Sequence, residues 1–490
     1  MMKKFVTALF AVLFAVPLLG QGRLAGVCAM YETPREERLY LPEGYEPWVI
    51  SHYGRHGARF LTSQNLYDSV YDVFFQEASK DNLTEYGAEV YDKLLSIKPY
   101  IDGNAGALTR KGEEQHRRIA ARMKRRFRSV FKDDPQISAV SSTTPRCVRS
   151  MEVFCEALKS GPIEMRSDSA DLRILNPFAC LEPCDAVNYT SEASWKPYFR
   201  SYCDELIDTS PFEVKLFKNG YSSSTMSLGT FEARLFNIIQ NLPCLDFKSP
   251  SFSGLFSESE KNVLWERDNI NCYLQSAYGF PGNDRKYSVC YPLLEDMILS
   301  ADKDLRNQRP SVRLRFGHDM TLNGLLTLMG VEGWDTRAES YAQIKNVFQN
   351  WRMPMAGNVQ MVLYTNVFEY SQPLVRFFLN EKAIALPLSP VGDRLYEWRE
   401  FKELYLGKVA EAFRIMNKPA CNYLFKIESE YNGHTMQAFS IKDEVVYVAY
   451  DSGLCRTYDL KSGKQVSEYP LGCATGSNHC GHLNFLDSLL

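Results

Sequence analysis

No excess of charge of either sign marks this chain: in 490 residues, 56 Lys and Arg stand against 59 Asp and Glu, for a net charge of -3 and an isoelectric point near 6.2. The missing basic surplus argues against a nucleic-acid partner. Poverty in apolar residues is missing too, since 28 Tyr, 29 Phe and 6 Trp give enough surface for a core and exclude disorder as the main state. Long apolar runs are absent except at the N-terminus, so no membrane-spanning segment is expected in the mature chain. At roughly 150 residues per domain the length allows two or three domains.

The N-terminal run reads as an export signal. Lys3 and Lys4 supply the positive start, Phe5 to Gly20 the apolar stretch, and Val27 and Ala29 the small-residue positions of a cleavage site. Residues 1–29 are therefore expected to leave the mature chain. A lipid-anchored reading of Leu24-Ala25-Gly26-Val27-Cys28 has Val27 before the cysteine against it, and a retained anchor is a third reading. Of the 13 cysteines, all but Cys28 lie beyond this signal. In an oxidising compartment they permit disulfides, though spacing does not disclose the pairing. Buried free thiols are an equal alternative. Cys180-Leu-Glu-Pro-Cys184 has no second matching pair, so it reads as a loop or disulfide rather than zinc.

Strand signals lie at Trp48–Tyr53, Ile137–Val140, Val312–Phe316, Asn358–Tyr364 and Leu374–Leu379. Thr109 is a natural cap for a helix whose apolar positions Ile119, Met123, Phe127 and Val130 recur at helical spacing. A second helix carries Val148, Met151, Phe154, Cys155 and Leu158, and a third Leu322, Leu325, Leu326 and Met329. Strand–loop–helix units with polar residues at the strand ends predict an α/β sheet that binds its ligand beyond those ends. Strand periodicity fades between about 158 and 301, where a mostly helical cap insertion is expected. From about 419 to 490, alternating runs split by Asp451-Ser452-Gly453 and Lys461-Ser462-Gly463-Lys464 predict an antiparallel β-meander resembling one blade of a propeller, complete or cut short.

Three strand-end clusters carry chemistry. Arg55-His56-Gly57-Ala58-Arg59 sets an imidazole between two cations, which suits attack on a phosphoryl group: the guanidinium groups fork onto phosphate oxygens and keep His56 neutral. Gly57 lets backbone amides approach the anion. Gly317-His318-Asp319 offers an acid to protonate a leaving alkoxide and a histidine to bond a phosphate oxygen. Ser142-Thr143-Thr144-Pro145-Arg146 adds a third cation, Arg146, with Arg149 a weaker candidate. Each has a plainer reading: a casual basic loop, a capped helix start, a salt-bridged arginine.

Residues 48 to about 410 resemble the histidine acid phosphatases of the histidine phosphatase superfamily. The motifs, in the family's order, are Arg55-His56-Gly57-Ala58-Arg59, Leu108-Thr109-Arg110-Lys111-Gly112-Glu113-Glu114-Gln115, Ser142 to Phe154, His318-Asp319, Met353 to Val359 and Val375 to Glu381. Within the family, Ser51-His52-Tyr53-Gly54-Arg55-His56-Gly57 resembles the multiple inositol polyphosphate phosphatases. That group usually carries His-Ala-Glu where this chain has His318-Asp319-Met320, so the acid implied is Asp319, as in acid phosphatases and phytases. The resemblance implies a phosphoglycerate mutase-like α/β sandwich spanning 30–418. It implies a phosphohistidine on His56, proton donation by Asp319, and phosphate held by Arg55, Arg59, Arg146 and His318. It calls for no metal or organic cofactor, and the substrate is a small phosphate monoester, with phytate a candidate.

Other features have plainer readings. Arg117, Arg118, Arg122, Lys124, Arg125, Arg126 and Arg128 read as a solvated helix face, His52 as a strand histidine or a residue bordering the site. Cys473, His479, Cys480 and His482 form a weak metal-like cluster. The sequons at Asn82 and Asn188 matter only in a glycosylating host. A mutase-like phosphotransferase and a vestigial exported scaffold are the alternative functions. Oligomeric state is not legible.

Overall fold

The computed structural model describes residues 23–132, 134–181, 193, 195–279, 284–368 and 371–417, and beyond them 430–431, 434–442, 445–450, 454–459 and 464–470. The chain divides into two compact units, Met1–Asn417 and Lys418–Leu490.

The first unit is built on one mixed sheet. Its strands are β1 (Tyr45–Arg55), β2 (Gln136–Ser141), β3 (Ile163–Arg166), β4 (Ser311–Gly317), β5 (Asn358–Asn366), β6 (Leu374–Leu379), β7 (Lys382–Ala383) and β8 (Tyr396–Glu397), in the order β3-β2-β4-β1-β5-β6-β7 with β8 also on β6. From β3 to β1 the strands are parallel; β5 runs antiparallel to β1. Every β1 residue from Val49 to Arg55 is buried, as expected of a strand covered on both faces. In the register, Arg55 faces Gly317 and Ser141 faces Phe316. The three loops that carry chemistry therefore leave the sheet side by side at one level, where parallel α/β sheets bind ligands.

The longer helices are α1 (Asn65–Ser79), α2 (Glu85–Ile101), α3 (Arg110–Arg126), α4 (Pro145–Leu158), α5 (Lys196–Leu206), α6 (Leu228–Asn241), α7 (Glu258–Ser276), α8 (Tyr291–Asp304), α9 (Asp319–Met329) and α10 (Trp398–Asn417). One sheet face is covered by α3 and α4, whose Ile119, Met123, Met151 and Phe154 pack with Ile50, Val312 and Leu314. The other is covered by α8, α9 and α10, through Met297, Leu325 and Phe401 with Val49 and Met361. A separate helical core joins Phe74 and Leu94 of α1 and α2 to Phe231 and Phe236 of α6. The segment expected to form the cap thus divides: α6 belongs to this helical core and α8 to the sheet. The helical core also recruits α1 and α2, which lie between β1 and β2 in sequence. Among the described residues no helix is long and apolar enough to cross a membrane.

The second unit contains β9 (Glu430–Tyr431), β10 (His434–Lys442), β11 (Val445–Tyr450), β12 (Leu454–Asp459) and β13 (Gln465–Pro470), each antiparallel to the next. Val446, Val448 and Tyr450 alternate onto one buried face with Leu454 and Tyr458, the period of two that a strand imposes. The cluster at Cys473 to His482, Asn188, Cys184 and the turns at 451–453 and 460–463 lie outside the described residues.

Candidate active site

The loop after β1 is fixed from three sides. Arg55 N–H donates to Gly357 O (2.8 Å), His56 N–H to Gly317 O (3.0 Å), and Ala356 N–H to His56 O (2.9 Å). From above, the start of α3 presses on it. Thr109 caps α3 by accepting from Gly112 N–H and donates to Ala58 O (3.0 Å), while Gln115 Oε1 accepts from Ala58 N–H (2.8 Å). A Cβ on Gly57 would sit 2.5 Å from Gly112 O, so the two backbones cross at a distance that only glycine permits. Thr109, Gly112 and Gln115 recur every three residues because one stripe of α3 clamps the Arg-His-Gly loop.

His56 is 2 % exposed. Its Nδ1 lies 3.0 Å from Gly57 O, and because a carbonyl only accepts, Nδ1 carries the proton and Nε2 keeps its lone pair. Burial, reinforced by Arg59, Arg55 and Arg146, holds the imidazole pKa well below its ordinary value. The ring is therefore neutral in mild acid.

Around it stand the cations. Arg55 is fully buried; its Nη1 donates to Val27 O (2.9 Å) and Met353 O (2.8 Å), and its Nη2 pairs with Asp319 Oδ2 at 2.9 Å. Arg59 donates to Phe60 O (2.8 Å). The Nε groups of Arg55, Arg59 and Arg146 are all buried without a hydrogen-bond partner. Each unsatisfied buried donor costs about 1–3 kcal/mol, and these three sit on neighbouring guanidiniums, an arrangement able to pair with an oxyanion.

His318 and Asp319 come from the end of β4. The Tyr53 hydroxyl donates to Leu175 O (2.6 Å) and accepts from His318 N–H (3.0 Å), fixing the turn into α9. His318 Nε2 lies 3.3 Å from Ser142 Oγ and 3.4 Å from Thr144 Oγ1, and its ring is 5.8 Å, centroid to centroid, from that of His56. Burial and then Arg146 lower its pKa to about 4. For Asp319, burial alone raises the carboxyl pKa, but Arg55, Arg59 and His318 outweigh it and leave it below the usual carboxylate value.

The six residues singled out from sequence are thus brought to one place. Arg149 is not, being tied to Glu113 (2.7 Å) and Glu152 (3.2 Å). His52 is 1 % exposed between Phe154 and Phe316, a packed strand histidine. Much of the basic face of α3 is engaged rather than free: Arg122 grips Glu381 (2.7 Å), Arg125 pairs with Glu36 (2.6 Å), and Lys124 donates to Leu158 O (2.7 Å). Asn82 is buried and hydrogen-bonded to Gly220 O (2.8 Å), which closes it to a glycan. Sequence reasoning missed Tyr53, the Met353 carbonyl and, above all, Leu24 to Ala29: the stretch expected to leave with the signal is built into the site through the Val27 carbonyl on Arg55.

Residues 54–179 match the histidine phosphatase superfamily, branch 2. Multiple inositol polyphosphate phosphatase 1 of Gallus gallus is 23% identical over 448 residues, 81% of this chain and 92% of that protein. The Homo sapiens protein of the same name is 25% identical over 376 residues, 70% of this chain and 76% of its own. Among solved structures, multiple inositol polyphosphate phosphatase from Bifidobacterium longum in complex with inositol hexasulfate superposes with a TM-score of 0.64 at 18% identity, over 78% of this chain and 97% of that one. The phytase from D. castellii gives 0.61 at 14% identity, over 80% and 85%. The chain therefore shares the α/β fold of these structures, as its motifs led one to expect.

Proposed function

We propose that this chain is a histidine phosphatase, an exported phosphomonoesterase that hydrolyses inositol polyphosphates such as phytate through a phosphohistidine. The observation that carries the reading is the trio of guanidiniums with buried, unpartnered Nε donors around a neutral imidazole whose Nε2 keeps its lone pair. Arg55, Arg59, Arg146 and His318 hold the phosphate and offset the charge growing on its equatorial oxygens. His56 Nε2 attacks in line, the bond to the alkoxide oxygen breaks, and phosphate passes to nitrogen. A phosphate dianion drawn to Arg55 weakens that residue's hold on Asp319, so the carboxyl takes up a proton as substrate binds and delivers it to the departing alkoxide. Water then hydrolyses the phosphohistidine. The relatives named multiple inositol polyphosphate phosphatase support the substrate class, and the apolar run at the N-terminus supports export.

The test is orthophosphate release from inositol hexakisphosphate and from p-nitrophenyl phosphate by the full chain and by His56→Ala. Release by the full chain, lost in the variant, is expected. Undiminished release by the variant removes the nucleophile. Transfer that conserves bound phosphate would make the chain a mutase-like transferase, and inert protein a scaffold.

A further inference from the structure

The segment Leu24–Tyr31 behaves as a strap drawn beneath the phosphate loop. Gln240 donates to Leu24 O, Arg55 to Val27 O and Met355 N–H to Ala29 O at 2.9 Å. Tyr31 donates to Glu381 at 2.8 Å, and Arg122 grips the same carboxylate. At its centre lies Cys28, 5 % exposed, against Cys244 at 0 %. Cys244 follows α6 and comes 216 positions later in the chain. Its thiol donates to Cys28 O at 3.4 Å, and Asn241 Nδ2 donates to Cys28 Sγ at 3.8 Å.

We propose that Cys28 and Cys244 join in a disulfide that fastens the N-terminal strap under the phosphate-binding arginines. Both are free thiols in the structure, buried in the same helical core with the Cys244 thiol against the Cys28 backbone, so the two residues are already neighbours. The seated Cys28 is buried and closed to an external oxidant, so it reacts as the attacking sulfur while its segment is still unpacked. Before the strap seats, its thiolate displaces one thiolate from a small disulfide such as glutathione disulfide. Cys244 then gives up its proton and attacks the Cys28 sulfur, expelling the second thiolate. Two protein thiols are oxidised, one S–S bond forms, and the donor is reduced to two thiols. Closing so long a loop removes conformational freedom from the unfolded chain, and it keeps the Val27 carbonyl on Arg55. The inference leans on the export reading only for the natural oxidant.

The test is a peptide map of the full-length gene product recovered from the exported fraction, unfolded in an alkylating reagent without reductant. A Cys28 peptide linked to a Cys244 peptide is expected. Alkylation of both cysteines, linkage of either to another cysteine, or a mature chain that begins after Cys28 overturns the proposal. Full-length protein made in a reducing cytosol, then reduced, unfolded and refolded in glutathione and glutathione disulfide, is expected to form the same link, which separates a failure of pairing from a failure of export. Reductant should lower the melting temperature of the wild-type protein more than that of Cys244→Ser; equal drops overturn the proposal.

Discussion

At the scale of single residues, the proposed roles of His56 and Asp319 separate by leaving group. A nucleophile is needed whatever departs, whereas a proton donor matters only when the departing oxygen is a poor leaving group. Asp319→Asn keeps the size of the side chain and removes both the acid and the charge paired with Arg55. Its kcat on inositol hexakisphosphate is expected to fall by roughly 10²- to 10⁴-fold, and on p-nitrophenyl phosphate by far less, because nitrophenolate leaves without a proton. Equal losses on both substrates, measured by phosphate release, would mean that Asp319 only positions Arg55.

At the scale of elements, two glycines of opposite consequence show what α3 does for the loop it clamps. Gly112 lies where a Cβ would run into the Ala58 backbone, so Gly112→Ala must push α3 off the Arg-His-Gly loop. A loss of about 1–3 kcal/mol is expected in denaturant melts, together with a drop in kcat, since His56 is two residues from the displaced carbonyl. Gly407, within α10, has nothing within 4 Å of a built Cβ, and Gly407→Ala should stabilise by roughly 0.5–1 kcal/mol without touching activity. If Gly112→Ala keeps full kcat, the clamp is not what aligns the nucleophile.

Across the whole molecule, acid acts through buried histidines. His52 and His116 have pKa values lowered to about 3 by burial, His318 to about 4, and His56 well below its ordinary value. In the unfolded chain all four take up protons near pH 6.5, while the folded chain refuses them. Stability is therefore lost as pH falls through 6.5 and goes on falling towards 4, by about 1.4 kcal/mol per pH unit for each histidine. Burial raises Glu232 to about 8 and Asp268 to about 6, and these pull the other way, two groups against four. The melting temperature of the free protein should decline from pH 6.5 to 4.5, and His116→Phe should flatten that slope. A melting temperature that rises over this range would show that the histidines are solvated.

Local chemistry was written in the sequence. Apolar runs ending in charged loops fixed where β1, β2 and β4 stop, Thr109 announced the start of α3, and the Arg-His-Gly and His-Asp motifs named the reacting groups. These signals are short-range: a strand end, a cap or a motif is decided by residues a few positions apart. What the sequence could not disclose depends on contacts between distant segments. That α1 and α2 share a core with α6, that Tyr53 holds the His318 amide, and that Val27 and Cys28 lie under Arg55 follow from packing, across as many as 265 positions of chain between Tyr53 and His318. The small residues Val27 and Ala29 look like a cleavage site in one dimension, while in three the Val27 carbonyl accepts from Arg55 and the Ala29 carbonyl from Met355 N–H, because a backbone carbonyl's partner is set by whichever distant segment packs against it.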